Sequence, residues 1–459
     1  MTLDFISQGG SRRLILFFAG WSATPALFSR LKLDGWDIAV VSGDDLTPPD
    51  WTPLRDYHTT YLYAWSMGVY FAARLLPEEF SPAACFAING TETPCHDLTG
   101  IPEAIFRGTA EGLTPRSLEK FRMRMCGYTQ RYRETADMLQ GGDTQRLADQ
   151  LRAVADDSNP PRRFTWRAAY VSERDRIFPA ENQTRAWREK TELRYLSDDH
   201  LPDFQKILRH TVIDVQRVGD RFSRSLDTYT QHAHAQRMIA ERLASLFALR
   251  SASQLDDVLE IGCGTGLFTF SWSKLVSTHH ATFMDLCDMP DFSVANEEKY
   301  VKGDAEAHVA RMAGEGGAQF DAILSASAIQ WFSNPRKFLA DCVKLLRPGG
   351  VIAISTFAPG NLPELLHLRR DPMYYPAAEA LRSYLPADWE VEMIEEDVEI
   401  DFTTPLDALR HLRLTGVTGS SATATPADIR RFAANYPVNP RGRYSLTFKP
   451  IYLLAHPRR

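Results

Sequence analysis

Val258-Leu-Glu-Ile-Gly262-Cys-Gly264-Thr-Gly266 constrains this chain more than any other stretch. An apolar run opening into three alternate glycines reads as a strand, a turn free of side chains and the start of a helix, Leu267–Leu275. Such a turn lets the backbone close around a nucleoside at the C-terminal edge of a parallel sheet. The spacing is GxGxG, with Glu260 two places before it, unlike the GxGxxG of dinucleotide sites. An acid should end the next strand and accept from ribose hydroxyls. Asp285 stands 19 residues after Gly266, with Asp288 as the alternative. Gly303-Asp304-Ala305 offers a carboxylate for an adenine amino group, and Leu346-Arg-Pro-Gly-Gly350 leads into another strand, Val351–Ser355.

That turn belongs to one of two α/β sets. The second set holds Val258–Ile261, Ala281–Met284, Ala322–Leu324 and Val351–Ser355. The first holds Leu14–Phe18, Ile38–Val41, Tyr61–Trp65, Cys85–Ile88, Trp166–Val171 and Leu193–Leu196. A largely helical stretch, Leu201–Leu249, separates them, and 459 residues accommodate two domains. The boundary is expected near residue 210, giving domains 1–210 and 211–459. From Asp97 to Arg163 the first domain leaves its strand rhythm for a helical insertion, expected to be a cap. Arg116–Arg133 carries Arg116, Lys120, Arg122, Arg124, Arg131 and Arg133 against the single acid Glu119. This is either a solvated helix face or a docking surface for an acidic partner.

Charge gives no such hint globally: Lys+Arg is 52 against Asp+Glu 58, so neither nucleic acid nor an anionic membrane is expected as a partner. No apolar run approaches the ~20 residues of a bilayer span, and MTLDFISQGGSRR lacks a signal-peptide layout, so a cytoplasmic location is expected. Six scattered cysteines with no CxxC pair point to reduced thiols, without metal or disulfide framework.

In the first domain, Tyr61-Leu-Tyr-Ala-Trp-Ser66-Met-Gly68 is a strand running into a sharp turn and a helix, Val69–Leu76. This is the context of a nucleophile elbow, G-x-S-x-G, with Ala64 in the first glycine's place. Ser172-Glu-Arg-Asp175 and Ser197-Asp-Asp-His200 each follow a later strand, so Ser66, Asp175 and His200 keep the chain order of α/β-hydrolases. In that arrangement His200 deprotonates Ser66 and Asp175 fixes the imidazole tautomer. Glu173, Asp198 and Asp199 are rival acids. The oxyanion donors would be the Met67 N–H and the Trp21 N–H, the latter after Gly20 in Phe17-Phe-Ala-Gly20-Trp21-Ser22. Trp21 reads equally well as a core aromatic.

FFAGWS, AWSMG, INGTETP (Ile88–Pro94) with GIP (Gly100–Pro102), and SDDH resemble BioG-type pimeloyl-acyl-carrier-protein methyl ester esterases over residues 1–210. The resemblance implies an α/β-hydrolase with a helical cap and hydrolysis of a methyl ester on a carrier-bound C7 chain. A carrier protein is acidic, which gives the basic cap a docking role.

In the second domain the Gly-rich turn, Asp285, Asp304 and the Pro-Gly-Gly turn together resemble class I (Rossmann-like) S-adenosylmethionine-dependent methyltransferases. Phe222-Ser-Arg-Ser-Leu-Asp-Thr-Tyr229-Thr-Gln-His-Ala-His-Ala-Gln236, Ser325-Ala-Ser-Ala-Ile-Gln330-Trp331, His411–Thr418 and Leu446–Tyr452 resemble BioC-type malonyl-acyl-carrier-protein O-methyltransferases. Ser225, Leu226, Thr415 and Val417 depart from that pattern. The resemblance assigns cofactor binding to Glu260, Gly262, Gly264, Gly266, Asp285 and Asp304. A carboxylate is already a nucleophile at pH 7, so the reaction needs alignment and desolvation, for which Tyr229 and Trp331 are the candidates. Both also read as packing aromatics. His232 and His234 project from different sides of a helix and do not form a metal pair.

Together the halves imply a bifunctional enzyme of biotin synthesis with S-adenosylmethionine as cofactor and acyl-carrier protein as partner. Two alternatives stay open. One is a small-acid methyltransferase fused to a broad-range esterase. The other is a methyltransferase carrying an inactive hydrolase-like module that binds the carrier.

Overall fold

The computed structural model describes residues 1–139, 142–159, 162, 164–316, 319–365, 373–415 and 425–458; the side chains of 225–228, 230 and 428 are also outside the description. The chain divides into two compact units, Met1–Arg209 and His210–Arg459.

The first unit is built on strands β1 (Thr2–Ser7), β2 (Arg13–Phe18), β3 (Asp37–Ser42), β4 (Thr59–Trp65), β5 (Ala84–Ile88), β6 (Ala168–Ser172) and β7 (Glu192–Leu196). They form one sheet in the order β1-β3-β2-β4-β5-β6-β7, parallel except for β1 against β3. Every residue of β4 and β5 is buried, which explains why both read as unbroken apolar runs. Between β5 and β6 the insertion folds into helices Glu103–Glu111, Pro115–Cys126, Thr129–Thr135 and Thr144–Asp156. The basic run is therefore two helices, parted at Gly127 (φ 80°). Residues 140, 141, 160, 161 and 163 of the expected cap lie outside the described residues.

The second unit has β8 (Gln254–Ile261), β9 (Ser277–Asp285), β10 (Glu297–Lys302), β11 (Phe320–Ala326), β12 (Leu346–Phe357), β13 (Trp389–Glu395), β14 (Val398–Phe402), β15 (Tyr444–Phe448) and β16 (Pro450–Pro457). Its main sheet runs β10-β9-β8-β11-β12-β16-β13, with β16 antiparallel to both neighbours, and β14–β15 form a separate ribbon. Chain order reverses between β8 and β11, the switch point where open α/β sheets receive ligands. The helix expected at Leu267–Leu275 is only Thr269–Trp272. Helices Val215–His232 and His234–Ala248 precede β8. Among the described residues no helix is long and apolar enough to cross a membrane.

Candidate active sites

Ser66 immediately follows β4 with φ 60°, a left-handed conformation that a serine adopts only under constraint. The turn is tight because its neighbours carry no side chains. A Cβ on Gly68 would come 2.2 Å from the Phe18 carbonyl oxygen, and one on Gly20 would come 2.8 Å from Ser66 Cβ. Ser66 Oγ lies 2.9 Å from His200 Nε2, and His200 Nδ1 lies 2.9 Å from Asp175 Oδ2. Both the His200 and Asp175 side chains are fully buried. Asp175 Oδ1 accepts from the Ile177 and Phe178 amides at 2.8 and 2.9 Å, so the carboxylate is fixed by its own loop.

Two of the rival acids have other surroundings. Glu173 is exposed, and Asp199 packs on Gly127 of the insertion, 3.9 Å from Arg174. Trp21 and Met67 line the pocket at Ser66 together with Phe106, Phe121 and Leu151 of the insertion. Among the described residues neither the Trp21 nor the Met67 N–H has a hydrogen-bond acceptor. The Trp21 indole donates to the Leu147 carbonyl at 3.1 Å and stands edge-on to Phe121, pinning the insertion over the serine.

Three supporting residues escaped the sequence reading. Gln183 donates to Asp175 Oδ2 at 3.0 Å. Asn89 donates to the His200 carbonyl at 2.9 Å and Ser172 Oγ at 2.8 Å, while accepting from the Ser172 amide. Trp65 donates to the same His200 carbonyl at 2.9 Å. Asn89 lies inside the INGT motif; nothing local marked Gln183.

Arg122 is a correction. It is buried, reaching the Ser22 carbonyl at 3.3 Å, and does not belong to an exposed face. Leu118, Arg122 and Met125 form the inward stripe of their helix, while Arg116, Lys120 and Arg124, at four-residue spacing, form an outward one.

In the second unit one cavity gathers Gly262, Gly264, Tyr229, Asp285, Asp304 and Trp331. Asp285 Oδ2 accepts from the Gly264 amide at 2.9 Å and Oδ1 from the Cys287 amide at 2.9 Å. Burial raises its pKa despite these donors. Asp288 is exposed and paired with Lys302 at 2.7 Å. Asp304 caps helix Ala305–Glu315, accepting from the Glu306 amide at 3.0 Å. Tyr229 feels the Asp285 charge, and burial first, then that charge, raise its pKa, keeping the hydroxyl protonated. Trp331 stands edge-on to Phe222 of helix Val215–His232 at 5.7 Å.

Glu260 and Gly266 stand off this wall. Glu260 is turned beneath the turn, accepting from Thr269 Oγ1 at 3.0 Å and Trp272 Nε1 at 2.7 Å, so it anchors the short helix. Burial pushes its carboxyl up to about 7. Gly266 (φ 86°) has the rings of Phe292 and Phe270 where a Cβ would project. Val417 and the end of the His411–Thr418 motif lie outside the described residues, as do the side chains of Ser225 and Leu226.

The wall suits S-adenosylmethionine. Gly264 has open space where a Cβ would stand, Asp285 and Asp304 follow adjacent strands, and the described lining residues include carboxylates but no Lys, Arg or His. A cationic nucleoside meets complementary charge there.

Comparison with known proteins agrees with both halves. Residues 1–211 match the family described as Pimeloyl-ACP methyl esterase BioG, and residues 259–354 match a Methyltransferase domain family. A malonyl-[acyl-carrier protein] O-methyltransferase of Bacteroides fragilis (strain 638R) is 32% identical over 97% of this chain and 93% of its own length. One of Porphyromonas gingivalis (strain ATCC BAA-308 / W83) is 35% identical, covering 53% of this chain and 96% of that protein. The crystal structure of BioG from Haemophilus influenzae shares 31% identity, covering 44% of this chain and 94% of that one, with a TM-score of 0.40. A relative matched over nearly the whole of both chains places this one: it belongs to the malonyl-[acyl-carrier protein] O-methyltransferase family and carries an N-terminal BioG esterase domain.

Proposed function

We propose that the second unit methylates the free carboxylate of malonyl-carrier protein and that the first hydrolyses the methyl ester of pimeloyl-carrier protein. The observation that carries the esterase half is the buried series Ser66–His200–Asp175, hydrogen-bonded at both steps.

In the first unit His200 Nε2 takes the Ser66 proton as Oγ attacks the ester carbonyl. The developing oxyanion is received by the Met67 and Trp21 amides. His200 then protonates the departing methanol, and a water repeats the sequence to release the acid. Asp175 holds Nδ1–H and stabilises the imidazolium, and Gln183 and the loop amides hold Asp175.

S-adenosylmethionine, when bound in the second unit, supplies an electrophilic methyl on a sulfonium. Asp285 would hold its ribose, Asp304 its adenine, and the Gly262–Gly264 backbone its close face. Tyr229 and Trp331 orient the acceptor carboxylate and exclude water. No general base is required, and a cation beside the carboxylate would stabilise a charge that the transition state is losing. Methylation hides that charge from apolar elongation sites; hydrolysis restores it.

Arg116, Lys120 and Arg124 supply an exposed basic stripe for the acidic carrier. Labelled methyl appearing on malonyl-carrier protein, and methanol released from the pimeloyl ester, test the two halves on one preparation. Absence of either removes that half.

A further inference from the structure

The turn that carries Trp21 is tied to a cation outside the catalytic triad. Gly20, Trp21, Ser22 and Ala23 are all buried, and the Ala23 amide donates to the Gly20 carbonyl at 3.1 Å, closing a tight turn. Within it Ser22 takes a left-handed conformation, φ 62°, which a residue with a side chain holds only when its surroundings fix it. Arg122 Nη2 donates to the Ser22 carbonyl at 3.3 Å. Its helix, Pro115–Cys126, is fastened to the core on both sides of the arginine. Phe121 meets the Trp21 ring edge-on at 4.9 Å, and the Met125 carbonyl accepts at 3.0 Å from the amide of Leu201, the residue after His200.

These contacts form a line. In a trans peptide the carbonyl and the N–H point in opposite directions across one plane. The Ser22 carbonyl shares its peptide with the Ala23 N–H, and the Gly20 carbonyl shares its peptide with the Trp21 N–H. Arg122 therefore reaches the Trp21 donor through two peptide groups and the hydrogen bond between them. Arginine keeps its charge when buried, and a cation at one end of such a chain polarises each donor after it. We infer that Arg122 is a positioning residue for ester hydrolysis: it holds the Trp21 amide in place and strengthens it as a donor to the oxyanion. The inference rests on reading the first unit as a serine esterase in which Trp21 is an oxyanion donor.

Steady-state kinetics of the full chain on a small water-soluble methyl ester tests this without the carrier. Arg122→Met fills much of the same space with neither charge nor donor. It should lower kcat by about ten- to hundredfold, less than the loss of a whole oxyanion donor. KM should stay within about twofold, because the interaction acts on the transition state. The pH dependence of kcat/KM should not move, since His200 and Asp175 keep their contacts. Arg122→Lys restores a cationic donor and should bring kcat back to within a few-fold of the wild type. An unchanged kcat in Arg122→Met overturns the inference. So does a shifted pH profile or a KM that rises as kcat falls, either of which means that the cap or the His200 loop has moved. A Lys variant as slow as the Met variant would reduce Arg122 to packing and overturns it too. If the wild-type chain releases no methanol, or Ser66→Ala releases it as fast, the esterase reading fails and takes this inference with it.

Discussion

His200 Nε2 lies 2.9 Å from Ser66 Oγ across 134 residues of chain. With Asp175 on the far side of the ring at 2.9 Å, this contact supports the proposal of Ser66 as the nucleophile. Ser66→Ala should lower ester hydrolysis by several orders of magnitude while leaving methyl transfer at its wild-type rate. A methanol-release assay and a methyl-transfer assay on the same variant read both; hydrolysis near the wild-type rate would remove the triad.

Asp285 carries the ribose assignment. Asp285→Ala should weaken cofactor binding by about 1–3 kcal/mol, and by the upper part of that range because Asp285 also anchors the Gly264 amide. Asp288→Ala should change nothing, since its carboxylate is exposed against Lys302. Calorimetry showing the reverse order would move the ribose contact to Asp288.

The basic stripe is tested by reversing Arg116, Lys120 and Arg124 to Glu together. KM for the carrier-bound ester should rise, while turnover of a small water-soluble methyl ester holds. Wild-type kcat/KM on the carrier substrate should fall as salt rises past ~0.15 M. Parallel loss on both substrates would mean that the stripe holds the cap together. Arg122→Glu is a contrast: buried against Ser22, it should unfold the cap and lower both activities.

Two buried groups give opposite pH signatures in the methyltransferase unit. Burial raises Glu260 from 4.5 to about 7, so its native carboxyl keeps a proton that the unfolded chain releases. Stability is lost as pH rises through that window, by about 3 kcal/mol in full. His411 is held down from 6.5 to about 4 by burial, then by the nearby His234 and His232. Its contribution is present above 6.5 and lost as pH falls towards 4. The two oppose each other in the intact protein, so variants separate them. In urea unfolding, Glu260→Gln should gain on the wild type as pH rises from 4.5 to 7, and His411→Phe should gain as pH falls from 6.5 to 4. Parallel curves for wild type and variant would contradict either assignment.

What was legible in the sequence followed from burial. Strands β2, β4 and β5, and the buried ends of β8 (Val258–Ile261) and β12 (Val351–Phe357), read as apolar runs because both faces are covered there. Strand β10, Glu-Glu-Lys-Tyr-Val-Lys, is an exposed edge of its sheet, and edge strands carry charge, so it has no apolar signal. Thr2–Ser7, another edge, was lost for a similar reason. Asn89 and Gln183 act through hydrogen bonds whose partners only folding brings together. Arg122 was legible and was misread: it stands four residues after Leu118 and three before Met125, on the apolar stripe of its helix. Counting charges along the run hid that periodicity.

Mass spectrometry of malonyl-carrier protein and pimeloyl-carrier methyl ester, each incubated with the full chain and S-adenosylmethionine, tests the central claim most directly. The account predicts that malonyl-carrier protein gains a methyl group and that the pimeloyl ester loses one. Methylation without any ester hydrolysis, or hydrolysis without any methylation, would contradict the assignment of two opposed activities to this one chain.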